Sequence, residues 1–227
     1  MDNALLNVAE LLKIEFATLS TYAGRVQTMR FGAGGVIYGP EKSFDGVYVV
    51  VDGLAKTVLE LRDREVVTSI ATRGDVLGTD ALHSPTFVTE AVAVTTLTVV
   101  KIPEDVFSEL IRSNDEFREA LHRKLSAAIA EAFELIELLA KSRAEARLAF
   151  FFLKVASKVA QGRQEQEAFN IGFTRGEIGR YLGLKAETVS RRIATFAESG
   201  YVKVQGKTIS IKNRPALERL RSGKTVH

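Results

Sequence analysis

The sequence of 227 residues contains no cysteine. This absence excludes disulfides, thiolate zinc sites and cysteine-bound iron–sulfur clusters within the chain. No apolar run approaches the roughly 20 residues that a membrane helix requires. The first residues, MDNALLNVAELLK, show neither the basic region nor the cleavage pattern of an export signal. We therefore expect a cytoplasmic protein with no membrane segment.

Motifs of common catalytic sites are also missing, since the sequence has no HExxH, Walker loop, GxSxG or GxGxxG. The glycine cluster Gly32–Gly35 lies among strand-like segments and favours a turn. The pair Glu104–Asp105 is typical of a helix start. His122 and His227 do not suggest a metal site. We expect a protein that is not an enzyme and has no metal site and no cofactor.

The charge is small in total but unevenly distributed. Hydrophobic residues make up 46% of the chain, charged residues 26%, and the net charge is +3, as in an ordinary globular protein. From Thr174 to the end, twelve basic residues accompany four acidic ones, which gives +8 there and −5 elsewhere. A basic module on an acidic body indicates a local polyanion partner. The alternative is a solvated basic surface.

The first half of the chain has the pattern of many short strands. A helix is predicted at Ala4–Ala17, and strands rich in valine and threonine follow from Arg25 to Pro103. Asp52–Gly53 predicts a hairpin turn, and Arg62–Arg64 predicts a second hairpin tip. Closely spaced short strands favour an antiparallel sandwich or barrel-like roll.

Helical patterns replace the strands after Pro103. A short helix, PEDVFSELIRSN, precedes a long one from Asp115 to Ser142. The long helix carries an apolar heptad seam, which favours parallel homodimerisation over an internal core helix. On that interpretation, Phe133 and Ile136 lie off the seam and face the strand domain. The predicted seam residues are Leu121, Leu125, Ala128, Ala132, Leu135 and Leu139.

The next segment, Ser142–Ala160, predicts an amphipathic helix, and QGRQEQE after it predicts a loop. Further on, FTRGEIGRYLGLKAETVSRRIATFAESG predicts two helices joined by a turn at Gly183. Thr174 and Glu177 form a capping box at the first helix. The second helix buries Val189, Ile193 and Phe196. YVKVQGKTISI adds two short strands, so the whole is a winged helix-turn-helix.

The opposite face of the second helix carries polar side chains suited to DNA. Arg191 can donate two hydrogen bonds to guanine, and Glu187 can accept one from cytosine. Helix N-termini and hydroxyls suit phosphate oxygens. A plain solvent-exposed face is the alternative. The predicted DNA-binding residues are Thr174, Arg175, Lys185, Glu187, Thr188, Ser190, Arg191 and Lys207.

With TRGEIGRYLGL, ETVSRR and GKTISI in place, the chain resembles the CRP/FNR superfamily of bacterial transcription regulators over essentially its whole length. The resemblance implies an α+β fold: an N-terminal antiparallel β-roll similar to cyclic-nucleotide-binding domains (1–113), a long dimerisation helix (114–142) and a C-terminal winged helix-turn-helix (143–227). It also implies a homodimer that binds double-stranded DNA and activates transcription by touching RNA polymerase.

The family pattern of Glu, two residues, Ser, Arg corresponds to Glu187, Ser190 and Arg191, with Ala186 where the cyclic-AMP receptor branch has arginine. The resemblance therefore implies a palindromic operator with TTGAT-like half-sites, as in the FNR branch. The alternative is a sensor roll that regulates a protein partner instead of DNA.

The resemblance leaves the effector unknown. Family pockets for cyclic AMP use Gly-Glu and a later arginine, whereas this chain has Gly78-Thr79-Asp80 and a segment, PTFVTEAV, without arginine. Cyclic-nucleotide binding is therefore not expected, and the missing cysteines rule out the FNR cluster. Leu82–Pro85 (LHSP) is similar to the haem-ligand stretch of carbon-monoxide-sensing relatives, but His83 is interpreted as a loop histidine. Another small molecule, or no effector, remains open.

Overall fold

The computed structural model describes residues 2–141, 143–160 and 168–222. The predicted QGRQEQE loop and His227 lie outside these ranges. The chain forms two compact units: Met1–Arg62 with Ser69–Glu131, and Asp63–Thr68 with Ala132–His227. In the described part of the chain, no helix is both long and apolar enough to cross a membrane.

Two helices open the first unit where one was predicted. α1 spans Asp2–Leu12 and α2 spans Phe16–Ser20. Lys13 adopts a left-handed backbone with φ of 59°, a conformation that ends a right-handed helix. Leu5, Val8 and Leu12 on α1 are buried.

Eight strands form two four-stranded sheets in the order β1-β8-β3-β6 and β2-β7-β4-β5. A short 3-10 helix, Thr79–Ala81, lies between β6 and β7. The strands are β1 (Gln27–Phe31), β2 (Val36–Tyr38), β3 (Gly46–Asp52), β4 (Ala55–Leu61), β5 (Arg64–Ala71), β6 (Val76–Leu77), β7 (Glu90–Ala93) and β8 (Leu97–Pro103). Strand pairs such as β3–β8 and β4–β7 are antiparallel, which confirms the predicted antiparallel roll.

The two predicted hairpins have different outcomes. The tip at Arg62–Arg64 joins β4 to β5, which are neighbours in one sheet, so that hairpin is confirmed. The hairpin at Asp52–Gly53 is wrong, because β3 and β4 belong to different sheets. β3 already has β8 on one edge and β6 on the other, so the turn carries the chain across to the second sheet.

Strand β3 lies at the centre of the first unit because both of its faces are buried. Tyr48 and Val50 point into the cluster between the two sheets. Val47 and Val49 point into a second cluster with α1 and the helices after β8. The near-continuous apolar run VYVVV fits this position, since a strand buried on both faces does not alternate polar and apolar residues.

After β8, α3 spans Glu104–Ser113 and α4 spans Asp115–Lys141, close to the two predicted helices. The exposure of α4 differs from what the predicted seam requires. Leu121 and Leu135 are only 8% and 9% exposed within a single chain, so these two seam positions offer no free surface. Phe133 and Ile136, which were expected to be covered, are 66% and 60% exposed.

The second unit contains the remaining helices and a small sheet. Phe151 packs edge-on against Phe173 and Tyr181 at its centre. The three-stranded sheet has the order β10-β11-β9, and β9 and the last helix were not predicted. The elements are α5 (Ala144–Ala160), β9 (Ala168–Asn170), α6 (Arg175–Leu182), α7 (Ala186–Glu198), β10 (Val202–Gln205), β11 (Thr208–Ile211) and α8 (Arg214–Arg221).

Candidate nucleic-acid interface

Helix α6 begins with the capping box that the sequence predicts. The Thr174 hydroxyl accepts a hydrogen bond from the Glu177 N–H at 3.2 Å, and the Glu177 carboxylate accepts from the Thr174 N–H at 2.7 Å. The Thr174 hydroxyl also donates its proton to Glu177 at 2.7 Å. Because a hydroxyl has one proton, Thr174 in this arrangement cannot also donate to a phosphate. Its direct contact with DNA stays a prediction that requires the side chain to rotate.

A close approach between α6 and the turn fixes the angle of the next helix. Gly183 ends α6 in the left-handed conformation, with φ of 62°, which glycine adopts at no steric cost. Gly179 lies against the carbonyl oxygen of Leu184: a Cβ on Gly179 would come within 2.4 Å of it. A side chain at Gly179 would therefore force α6 and the turn apart.

Helix α7 has one fully buried face. Val189, Ile193 and Phe196 are 0%, 4% and 1% exposed, and Phe196 packs against Phe152 of α5. This face follows the predicted spacing of four and three residues. It anchors the helix, so the side chains on the other side point away from the protein.

The outward face of α7 consists of exposed side chains. Glu187, Ser190, Arg191 and Ala194 are all exposed and follow the spacing i, i+3, i+4, i+7 that places residues on one helix face. Lys185 precedes the helix and is exposed, and its side chain does not cap the helix. Free amide groups in the first turn and the side chains of this face can therefore meet a polyanion together.

Two adjacent arginines on α7 have different surroundings. Arg191 is exposed, whereas Arg192 is half-buried and forms an ion pair with Glu145 of α5 at 3.0 Å. Arg192 thus fastens α7 to its own unit, and Arg191 is the arginine available to a ligand. Contact of Arg191 with DNA stays a prediction, and Arg192 is not among the predicted DNA-binding residues.

The remaining predicted residues flank α7. Thr188 is half-buried, Lys207 is exposed in the turn between β10 and β11, and Arg175 is half-buried in the first turn of α6. Burial lowers the pKa of Arg175 from its ordinary value, but an arginine remains charged at neutral pH. All predicted binding residues therefore lie on the helix-turn-helix or its wing.

Comparisons with known proteins agree with this geometry. Residues 146–220 match a Crp-like helix-turn-helix domain, and residues 28–114 match a cyclic nucleotide-binding domain. The Fumarate and nitrate reduction regulatory protein of Salmonella typhi is 37% identical over 179 residues, which cover 77% of this chain and 70% of that protein. The chain belongs to the CRP/FNR superfamily of transcription regulators.

Further CRP/FNR proteins are similar in sequence and fold. The Electron transport regulator A of Shewanella oneidensis is 36% identical over 164 residues, 72% of this chain and 65% of that protein. FixK2 from Bradyrhizobium japonicum has the same fold, with a TM-score of 0.76 at 24% identity, covering 86% of this chain and 96% of that chain. As a CRP/FNR protein, the chain is a DNA-binding transcription regulator with a Crp-like helix-turn-helix domain.

In the β-roll of this chain, a side chain of the 3-10 helix holds the loop that follows that helix. The Asp80 carboxylate accepts hydrogen bonds from the N–H groups of Val88 and Thr89, at 3.2 and 2.9 Å, and from the Thr89 hydroxyl at 2.9 Å. All three hydrogen bonds end on Oδ2, so Asp80 ties the 3-10 helix to the segment that follows it.

Aromatic rings fill the space beneath that loop. Tyr38 stacks on Phe87 with ring centroids 4.0 Å apart, and the Tyr38 hydroxyl accepts a hydrogen bond from the Gly78 N–H at 2.9 Å. Burial, together with the charge of Asp80, raises the pKa of Tyr38 above its ordinary value. His83 is exposed on the same loop, and the described residues contain no cluster of three metal-ligating side chains.

Proposed function

We propose that the protein acts as a homodimer on a palindromic operator with TTGAT-like half-sites, and that it activates transcription in the cytoplasm by touching RNA polymerase. The observation that carries this proposal is the outward face of α7, on which Glu187, Ser190 and Arg191 are exposed while the opposite face is buried. A helix of this kind can enter the major groove with its first turns against base edges.

Each side chain on this face has a chemical role in the proposal. Arg191 donates to the two acceptors of guanine, and Glu187 accepts from the amino group of cytosine. The Ser190 hydroxyl reaches a base or a phosphate, and Lys185 and Lys207 neutralise phosphates. The G·C pair in a TTGAT half-site offers both the guanine and the cytosine that this pair of charged side chains requires.

The homodimer is proposed to form along α4 in a corrected register. The exposed positions His122, Ser126 and Ile129 continue through Phe133, Ile136 and Ala140 at spacing 4, 3, 4, 3, 4. Ile129, Phe133 and Ile136 are 57%, 66% and 60% exposed, and such a row is costly to leave in water. Two parallel copies of this row would cover each other as a coiled-coil seam does.

Each of the three parts of the chain has its own role in the proposal. In the proposal, residues 1–113 are the sensor roll, 114–142 provide the dimer contact and 143–227 bind DNA. The sensor is not proposed to take a cyclic nucleotide, because the chain has Gly78-Thr79-Asp80 in place of Gly-Glu and the segment after it has no arginine. We propose instead that the roll binds another small molecule, or that the amount of the protein in the cell is itself the signal. The protein is not proposed to be an enzyme.

Fluorescence anisotropy with labelled duplexes tests the function. Wild-type protein is titrated against a palindrome of two TTGAT half-sites and against a duplex of the same composition in scrambled order. We expect tighter binding to the palindrome by roughly a thousandfold or more, two protomers per duplex, and a steep loss of affinity with salt. Equal, weak binding to both duplexes would favour the alternative function, regulation of a protein partner by the sensor roll.

A further inference from the structure

A single arginine joins the ends of two helices in the second unit. Arg147 lies in the first turn of α5, just after the break between α4 and α5. One guanidinium nitrogen, Nη1, donates to the carbonyl oxygen of Leu182 at 2.9 Å. The other, Nη2, donates to the carbonyl oxygen of Leu139 at 2.9 Å. The guanidinium therefore bridges the last turn of α4 and the last residue of α6.

The bonding matches the chemistry of helix ends. The last four carbonyls of an α-helix have no partner within the helix, and the C-terminal end of a helix favours a cation. Arginine is permanently charged and presents its donors in a rigid plane, so one side chain can serve two helix ends at once. Lysine carries its donors on a single rotatable nitrogen and cannot hold the same geometry.

Gly183 lies next to this bridge. A Cβ on Gly183 would lie 3.4 Å from Nη1 of Arg147 and 3.7 Å from Cδ2 of Leu139. The turn of the helix-turn-helix, the end of α4 and the first turn of α5 thus meet at one guanidinium.

A second contact holds the same stretch of α4. Glu134 forms ion pairs with Arg221 of α8 and, at 3.7 Å, with Lys154 of α5. Glu134 lies between the two exposed apolar residues Phe133 and Ile136 of α4. The part of α4 that carries these two residues is therefore held at two places, at Glu134 by α5 and α8 and at Leu139 by the Arg147 bridge to α6.

We propose that Arg147 is a positioning residue that fixes α7 relative to the exposed apolar row of α4, and that it thereby sets which half-site spacing the dimer accepts. This inference rests on the proposed function. α6 ends at Leu182 and leads through Gly183 into α7, so holding the end of α6 on the end of α4 places α7 at a defined distance from the dimer seam.

The consequence for DNA is geometric. Adding one base pair between half-sites moves one of them by about 3.4 Å and about 34° around the duplex. A dimer with rigidly held reading helices tolerates such a change poorly. A dimer whose reading helices can shift on the seam tolerates it better, even if its affinity for the best operator is lower.

The test measures affinity as a function of spacing. Four proteins are titrated against palindromes whose spacer is shortened or lengthened by one base pair: wild type, Arg147→Ala, Arg147→Lys and a control, Arg219→Ala. Arg219 is an exposed arginine of α8. We expect wild type and Arg219→Ala to lose about tenfold or more per base pair, and both Arg147 variants to lose about threefold or less. A purely structural role would lower affinity for every spacer by one factor and leave the profile unchanged, which would overturn the proposal.

A measurement without DNA separates this inference from the proposed function. Because the chain has no cysteine, Glu137→Cys on α4 and Glu198→Cys on α7 can be spin-labelled selectively and diluted with unlabelled protein. We expect a narrow distance distribution within one protomer in wild type and Arg219→Ala, and a broad one in Arg147→Ala and Arg147→Lys. Unbroadened distributions would refute the positioning role even if DNA binding is confirmed. Absence of operator binding by wild type would refute the proposed function, and with it the role in spacing, whatever the distributions show.

Discussion

Leu135 and Ile136 are neighbours on α4, yet the structure leaves Leu135 only 9% exposed and Ile136 60% exposed. Because of this contrast, the dimer seam that we propose lies one residue further along α4 than the predicted one. The row that was predicted to pair contains Leu121 and Leu135, which are buried within one chain. The large apolar side chains that remain exposed on α4 belong to the row beside it: Ile129, Phe133 and Ile136.

Charges on the exposed row should separate the dimer. We expect Ile129→Glu combined with Ile136→Glu to give monomers in sedimentation velocity, because two like charges would face each other at each seam position. The matched control is Ala128→Glu combined with Ala132→Glu, which places the same charges on exposed residues of the originally predicted row. A dimer that survives the isoleucine pair and dissociates with the alanine pair would contradict the corrected register.

Loss of Arg191 should weaken both affinity and base preference. We expect Arg191→Ala to cost roughly 1–3 kcal/mol of operator binding and to relax the preference at one G·C pair in each half-site. Competition with operators substituted at single positions measures both effects. An unchanged preference at every position would show that Arg191 does not contact a base.

Arg192→Ala is the control for that experiment. Arg192 pairs with Glu145 within the second unit, so its removal should leave base preference as it is. A changed preference in Arg192→Ala would mean that the two arginines have exchanged the roles assigned to them.

Lys207 in the wing should act on phosphates only. We expect Lys207→Ala to weaken binding evenly across operator sequences and to reduce the slope of log affinity against log salt by about 1. Affinity titrations at several salt concentrations on two different operators provide the measurement. A larger loss on one operator than on the other would indicate that the wing reads bases.

Replacing glycine by alanine in α6 should lower the free energy of unfolding at Gly179 but not at Gly176. In Gly179→Ala the new Cβ would approach the Leu184 carbonyl oxygen to 2.4 Å, so we expect a loss of more than about 1 kcal/mol in the free energy of unfolding. In Gly176→Ala the nearest atoms are 3.9 Å away, and alanine favours the helix by up to about 1 kcal/mol. Denaturant unfolding compares the two. Equal effects would contradict the packing assigned to Gly179.

The helix-turn-helix was predictable because its determinants are local. The capping box at Thr174, the glycine at Gly183 and the apolar spacing from Val189 to Phe196 lie within about two dozen residues, and each rule agrees with the others. The structure has α6 and α7 where these signals place them. Helix α8 has a comparable local signal, since Asn213 caps it and Pro215 lies in its first turn.

The incorrect predictions concern features that depend on residues far apart in the sequence. Two apolar rows run side by side on α4, and periodicity alone cannot tell which one packs on its own chain. Likewise, Asp52–Gly53 marks a turn, but the partners of β3 are set by β8 and β6. The bridge from Arg147 to Leu182 joins residues 35 positions apart, so no local rule could reveal it.

Selection from a pool of random duplexes shows which base sequence the protein recognises, because the experiment assumes no operator in advance. Bound duplexes are recovered over several rounds and sequenced, for wild type and for Glu187→Ala with Arg191→Ala. We expect wild type to enrich a palindrome of two TTGAT-like half-sites and the double variant to lose this enrichment. Enrichment of no motif by wild type, or of the same palindrome by the double variant, would contradict the proposed function.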